Sequence, residues 1–448
     1  MIRISIQLVV SLILVIKFTA PAKAWSEHPL LARPVLSSIP ELAHKEPVPV
    51  MSLKAFLLKE EEGLARLFRD YESWARENLG YYPWLPEELK FQKTGNADDI
   101  LQRFFYAARL NPNVKMQLYL HLMPNEDIGD LKPIHPSALT TLKDVEFMMD
   151  TKYVELFEDQ MASPLQIVST ANDEPDYGFD LGLFEDNNTD YGKKYGFGIQ
   201  PFGDPNLEYG SQAPFHMGFY HENSLVFKFG PFLKRTLPEY RIFLFKMLSE
   251  YAFQTGNDYW GWRFMGWGMH YLSDLSMPYH TAPLPGVSAF RMIWINMKAM
   301  IGLPRSKNNA VQIVSNRHSV LEQYQWILIK EAYKNDFYNQ QIVKALKNPI
   351  DHVDFSVEFP RDVAALESVN RSKKVDKNLK KWMPKKLVSD PKFETPGSPE
   401  LQNLVELARA EKGDEAIEGM NEMLCEIMRS YSMHMRSYYK SISEKIPA

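Results

Sequence analysis

A chain of 448 residues, 45% hydrophobic and 13% aromatic, has enough apolar side chain to bury a core in one large domain or two smaller ones, which excludes a disordered class. Formal charge is −5; without the three basic residues of the first 24 positions (Arg3, Lys17, Lys23), 48 basic face 56 acidic residues, or −8, which argues against a polyanion-wrapping surface. The one cysteine, Cys425, excludes an internal disulfide and a cysteine-based metal site.

In chain order, a basic start, an apolar run from Leu8 to Ile16 and the small-x-small site Ala22-Lys23-Ala24 read as a secretory signal peptide over residues 1–24, although Lys17 interrupts the run. Cleavage there makes Trp25 the mature N-terminus and the protein secreted or periplasmic. The competing reading is an uncleaved anchor, for which the run is short. The Pro-rich stretch to Val50 is expected to be irregular. Residues 53–78, 100–110 and 142–157 carry apolar side chains at helical spacing and are expected as amphipathic helices. From 175 to 214 glycines punctuate a polar, aromatic stretch, and an excursion of that length is usually functional. Tyr177, Phe179, Tyr195 and Phe197 either line a substrate entrance there or belong to a surface excursion without contact to substrate.

Further helices are expected at about 238–255, 258–276, 288–301 and 319–333, with no period-2 strand pattern and no internal repeat. The lysine-rich segment 373–386 reads as a solvated face, and a last long helix is expected over 399–442 with a break near Gly413. The pattern predicts an all-α fold: a helical domain over 25–345, with a C-terminal helical extension, 346–448, that packs on it and adds bulk rather than chemistry.

The centre of the sequence is residues 258–280. Tyr259, Trp260, Trp262, Phe264, Met265, Trp267, Met269, Tyr271 and Leu272 make the helix apolar all round, so it is buried on every side, and the tryptophans belong to the core. Within it His270 and Asp274 stand four apart on one face, and Pro278 is expected to end the helix so that His280 arrives from the following turn. Alone, such a pair is more often a structural hydrogen bond. His318 and Glu322 repeat the geometry, however, and two such pairs plus His280 form a nitrogen and oxygen set of the kind zinc takes.

Together with Trp25 after the leader, an early His28, Asp176 and His216, the order His270-x3-Asp274-x5-His280 and His318-x3-Glu322 resembles the zinc-dependent phospholipase C family, which shares its fold with the single-strand-specific zinc nucleases. The resemblance covers roughly residues 25–326 and implies three zinc ions in an all-helical domain. It implies that Asp176, His216, His270 and a bridging Asp274 hold one ion of a close pair, that Trp25 (through its amine and carbonyl), His28 and Asp274 hold the other, and that His280, His318 and Glu322 hold the third. Asp173 or Asp180 could replace Asp176, and His221 could replace His216. His44, His121, His135, His352 and His434 have no ligand-spaced partner and read as ordinary residues.

The implied activity is hydrolysis of phospholipid headgroup esters by zinc-activated hydroxide, with Asp176 and Asp274 as the catalytic residues and Asp176 as a candidate general base. The substrate would lie at a membrane surface, with no stable protein partner. A nuclease acting on single-stranded nucleic acid is the alternative, against which Glu322, rather than an aspartate, tilts the balance. A third reading is a non-catalytic, zinc-stapled binding protein.

Overall fold

Residues 27–205 and 208–446 are described by a computed structural model. The Pro-rich start, expected to be irregular, instead forms α1 (His28–Leu36) and α2 (Pro40–Ala43). Pro29 and Pro40 sit in first turns, where an amide N–H has no intrahelical acceptor to lose, and Leu30, Leu31, Val35 and Leu36 are fully buried. After β1 (Val48–Pro49), α3 (Leu53–Asn78) opens on Ser52, whose hydroxyl accepts from the Ala55 N–H as an N-cap. α4 (Ile100–Ala108) packs against α3.

Residues 142–157 are not the helix that their spacing predicts. A 3-10 turn, Glu146–Met148, precedes β3 (Lys152–Glu155), which pairs antiparallel with β2 (Tyr119–Leu122), Leu120 opposite Val154. Pairing across the chain satisfies the backbone groups that a helix would satisfy internally. It also buries Tyr153 and Met148 in a satellite cluster with Tyr119, Leu139 and Tyr177. β4 (Met161–Ala162) pairs with β1, and both sheets have two short strands that no period-2 pattern announces. α5 (Pro164–Ala171) follows.

The glycine-rich excursion is a run of turns ending in α6 (Glu208–His216). Tyr177, Phe179, Tyr195 and Phe197 are all buried, and the Tyr195 hydroxyl donates to the Leu110 carbonyl at 2.6 Å. These rings pack the core, so neither an entrance lining nor a surface excursion describes them.

The rest is helical: α7 (Ser224–Phe229), α8 (Pro238–Gln254), α9 (Asp258–Asp274), α10 (Pro278–Thr281), α11 (Ala289–Met300), α12 (Arg305–Lys334), α13 (Gln341–Lys347), α14 (Leu366–Trp382), α15 (Lys385–Ser389), α16 (Leu404–Lys412) and α17 (Asp414–Ser443). With 61% helix against 3% strand the fold is all-α. α12 begins well before residue 319, because its first turns are polar and carry little apolar period. Gly413 separates α16 from α17 at the expected break, and the lysines of α14 and α15 face solvent.

α9 is buried from Tyr259 to Asp274, packed by α8, α5 and α17. Two glycines permit the close approach. A Cβ on Gly266 would lie 2.6 Å from the Ala171 Cβ, and one on Gly268 would lie 1.9 Å from the Tyr438 hydroxyl. Pro278 does not end α9, which stops at Asp274; it starts α10, the short helix that carries His280. Among the described residues no helix is long and apolar enough to cross a membrane.

Candidate metal centre

His270 and Asp274 lie on the last turns of α9, and burial of that helix brings both fully out of water. The first turn of α1 adds His28, the end of α6 adds His216, and a 3-10 turn, Glu174–Tyr177, adds Asp176. That turn is clamped to α9. The Glu174 carboxylate accepts from Arg263 at 2.7 and 3.0 Å and from the Trp267 indole N–H. His280 on α10 meets His318 and Glu322, one turn apart on α12.

The structure therefore gathers eight of the expected residues into three adjoining groups: His28, His270 and Asp274; Asp176, His216 and His270; His280, His318 and Glu322. Trp25 lies outside the described residues, as does the expected leader. Asp173 instead accepts from the backbone N–H of His28 at 3.2 Å and from the Tyr177 hydroxyl at 2.7 Å, and His221 bonds the Arg361 carbonyl away from the centre.

The spacings suit coordination. Two ligands at about 2.0–2.1 Å from a tetrahedral ion stand about 3.3–3.4 Å apart. The Nε2 of His270 lies 3.3 Å from the Nδ1 of His216 and 3.6 Å from both Asp176 Oδ1 and Asp274 Oδ2. The Nε2 of His28 is 3.4 Å from Asp274 Oδ1, and the Nε2 of His318 is 3.0 Å from Glu322 Oε1. Asp274 thus turns one oxygen to His28 and the other to His216 and His270, the disposition of a bridging carboxylate.

Protons are placed by what stands behind each ring. The Nδ1 of His270 is 2.8 Å from the Asn172 carbonyl, and that of His280 is 2.8 Å from the His216 carbonyl. A carbonyl only accepts, so both Nδ1 atoms carry hydrogen and both Nε2 atoms present lone pairs inward. The Nε2 of His280 is buried and makes no hydrogen bond. Burial holds His270 down at about 4, aided by His216 against the pull of Asp274, and holds His280 well below the ordinary histidine value, so both are neutral near pH 7.

His216 behaves differently. Burial alone would lower its pKa, but Asp180 and Asp274, joined by Asp176, lift it to about 10. Asp180 lies behind it, Oδ2 3.4 Å from its Nε2, and is itself held by Arg241 at 2.5 and 2.9 Å and by the Tyr271 hydroxyl at 2.5 Å. Three carboxylates around one imidazole, with Arg241 already committed to Asp180, leave negative charge that a bound cation would balance. The buried clusters could hold metal ions.

Sequence reasoning missed the supporting residues Arg241, Glu174, Arg263 and Ser273, and it offered Asp180 as a replacement ligand, whereas Asp180 stands behind His216 outside the three groups. Ser273 donates to the His270 carbonyl at 2.8 Å and faces His28 Nδ1 at 3.1 Å. The C-terminal region also packs on α9. α17 brings Tyr431 against Ser273, where burial, with Asp274 and Asp173 nearby, raises its hydroxyl well above the ordinary tyrosine value. Comparison with protein-family models, curated proteins and solved structures returns no match.

Proposed function

We propose that the protein is a zinc-dependent phosphodiesterase of the phospholipase C type. The observation that carries this reading is the shared Asp274, whose two oxygens face two ligand groups while a third group adjoins them. His, Asp and Glu donors without sulfur suit zinc, and the group of His280, His318 and Glu322 offers three side chains, which leaves a coordination position open there, as catalytic sites do and closed structural sites do not. Three zinc ions would be held as the resemblance implies. Zinc bound there would supply Lewis acidity toward a phosphoryl oxygen and acidify water.

The side chains do the rest. His270 and His280 stay neutral and aligned by backbone carbonyls; Asp180 and Arg241 fix His216; the buried walls of α9 exclude bulk water. Asp176, at the edge of the group, accepts the proton of the attacking water. Metal analysis of the purified protein, beside hydrolysis of phosphatidylcholine and of single-stranded DNA, tests the reading. Zinc with phosphatidylcholine hydrolysis supports it. Hydrolysis of DNA alone selects the nuclease, and zinc with neither activity selects the binding protein.

A further inference from the structure

A helix that is apolar on both faces must bury both. α11 turns Met292 and Ile295 inward, where they are buried. Its opposite face carries Phe290, Trp294 and Met297, continued by Ile301 at the helix end, a second stripe at i, i+4, i+7 and i+11. Phe290 is 80% exposed and Ile301 75%, more than any other large hydrophobic residue described, so this stripe is a surface and not a loosely packed core. α7 packs against α11 and adds exposed Leu225 and Phe229.

Along the segments that carry these side chains the charge has one sign. Residues 223–238 and 275–321 contain no Asp or Glu, in a chain with 56 of them. The same segments place Lys228 and Lys234 beside α7 and Arg291, Lys298 and Arg305 along and after α11. Lys298 lies 5.3 Å from the Trp294 ring. Exposed aromatic and aliphatic side chains bordered by cations, within a chain of net negative charge, are complementary to an anionic lipid surface, where rings enter the headgroup boundary and ammonium groups meet phosphate.

In sequence the patch follows closely on two of the candidate ligands. α7 begins eight residues after His216 and α11 nine residues after His280, so neither helix start lies more than about 32 Å from a ligand. We infer that the outer face of α7 and α11 is a docking surface for an anionic lipid bilayer. It is read from its own residues and stands whether or not the metal centre cleaves lipid.

The test is co-sedimentation of the full chain with vesicles of phosphatidylcholine, with and without phosphatidylserine. The protein should partition onto the phosphatidylserine vesicles, and more weakly as salt rises. The variant Phe290→Ser/Trp294→Ser/Ile301→Ser should lose at least about tenfold in partitioning. Lys298→Gln/Arg305→Gln should lose about fivefold per charge on the anionic vesicles and little on neutral ones. None of these side chains is buried, so helical content should not change. No partitioning of the unmodified protein overturns the inference, as does equal partitioning of the triple variant. A dimer in solution that the triple variant breaks would make a second copy the occupant, and also overturns it. His318→Ala should still bind vesicles, which separates docking from hydrolysis.

Discussion

His280 donates its Nδ1–H to the backbone carbonyl of His216 at 2.8 Å, so the ligand group on α10 and α12 is aligned by the main chain of a residue whose side chain belongs to another group. The link uses a carbonyl and not the imidazole. His216→Ala should therefore remove a ligand from one group while leaving His280 in place. Expected is partial metal content with the His280, His318 and Glu322 group retained; His280→Ala should strip that group instead. Equal metal content in the two variants and the unmodified protein, measured by elemental analysis, would refute the grouping.

Asp274 faces two groups, and Asp274→Asn should be more damaging than either single-histidine change. We expect activity to fall at least about 100-fold and the metal content to drop in two groups together, with far-ultraviolet circular dichroism nearly unchanged. Chelation of the unmodified protein should lower its melting temperature, and do so less in the variant.

Behind His216, Asp180 is a positioning residue. Asp180→Asn keeps its volume but weakens the carboxylate that fixes the ring, and should cost about 10- to 100-fold in metal affinity, read by titration of the metal-free protein. Arg241→Met leaves that carboxylate buried without its partner and should destabilise the fold by about 3–5 kcal/mol, seen in denaturant unfolding. Asp180→Asn also leaves Arg241 buried without its counter-charge, so both variants should lose stability, and the metal titration is the readout that reports the positioning role.

Acid should act away from the centre as well. Burial of His121 on β2 pushes it down to about 3 from an ordinary value of 6.5. Below 6.5 the unfolded chain binds a proton that the folded chain refuses, so this contribution to stability is complete above pH 6.5 and is lost progressively as pH falls toward 3. His121→Gln should flatten that part of the profile of melting temperature against pH; an unchanged slope between pH 6.5 and pH 4 would count against it.

Gly266 and Gly268 should not tolerate a side chain. Alanine at 268 meets the Tyr438 hydroxyl and at 266 meets Ala171 and the Val168 carbonyl, and each should destabilise by about 1–3 kcal/mol. Tyr438→Phe should partly rescue Gly268→Ala and not Gly266→Ala, which a double-mutant comparison reads directly.

What could be read from sequence followed from local period. α9 was visible because its apolar residues surround it, and α3 because its inward face repeats over 26 residues. The pairs His270 and Asp274, and His318 and Glu322, were visible because both members share one helix face. Residues 142–157 failed for the complementary reason: Tyr153 pairs with His121 across the sheet, and no local period encodes a partner that distant. The proline count hid α1, in which Pro29 sits in the first turn, where it costs no intrahelical bond, and Pro34 is accommodated inside the helix. Asp180 and Arg241 lie 61 residues apart and Arg263 and Glu174 lie 89 apart, so the clamps behind the ligands carry no spacing signal.

The clasp of α17 on α9 has a consequence for the order in which the protein is made. Synthesis delivers His28 first, and its neighbour Ser273 only 245 residues later. Tyr438, which closes over Gly268 and donates to the Ile242 carbonyl at 3.1 Å, emerges after the other helices around α9. Until then the Gly268 side of α9 has no cover, so a nascent chain at that stage exposes it, while the rings of Trp260, Phe264 and Trp267 already have partners from earlier elements. Contacts this remote in sequence make folding slow, and assembly of the ligand groups on the final tertiary pairing ties ion uptake to completion of the whole chain rather than to the appearance of its ligands.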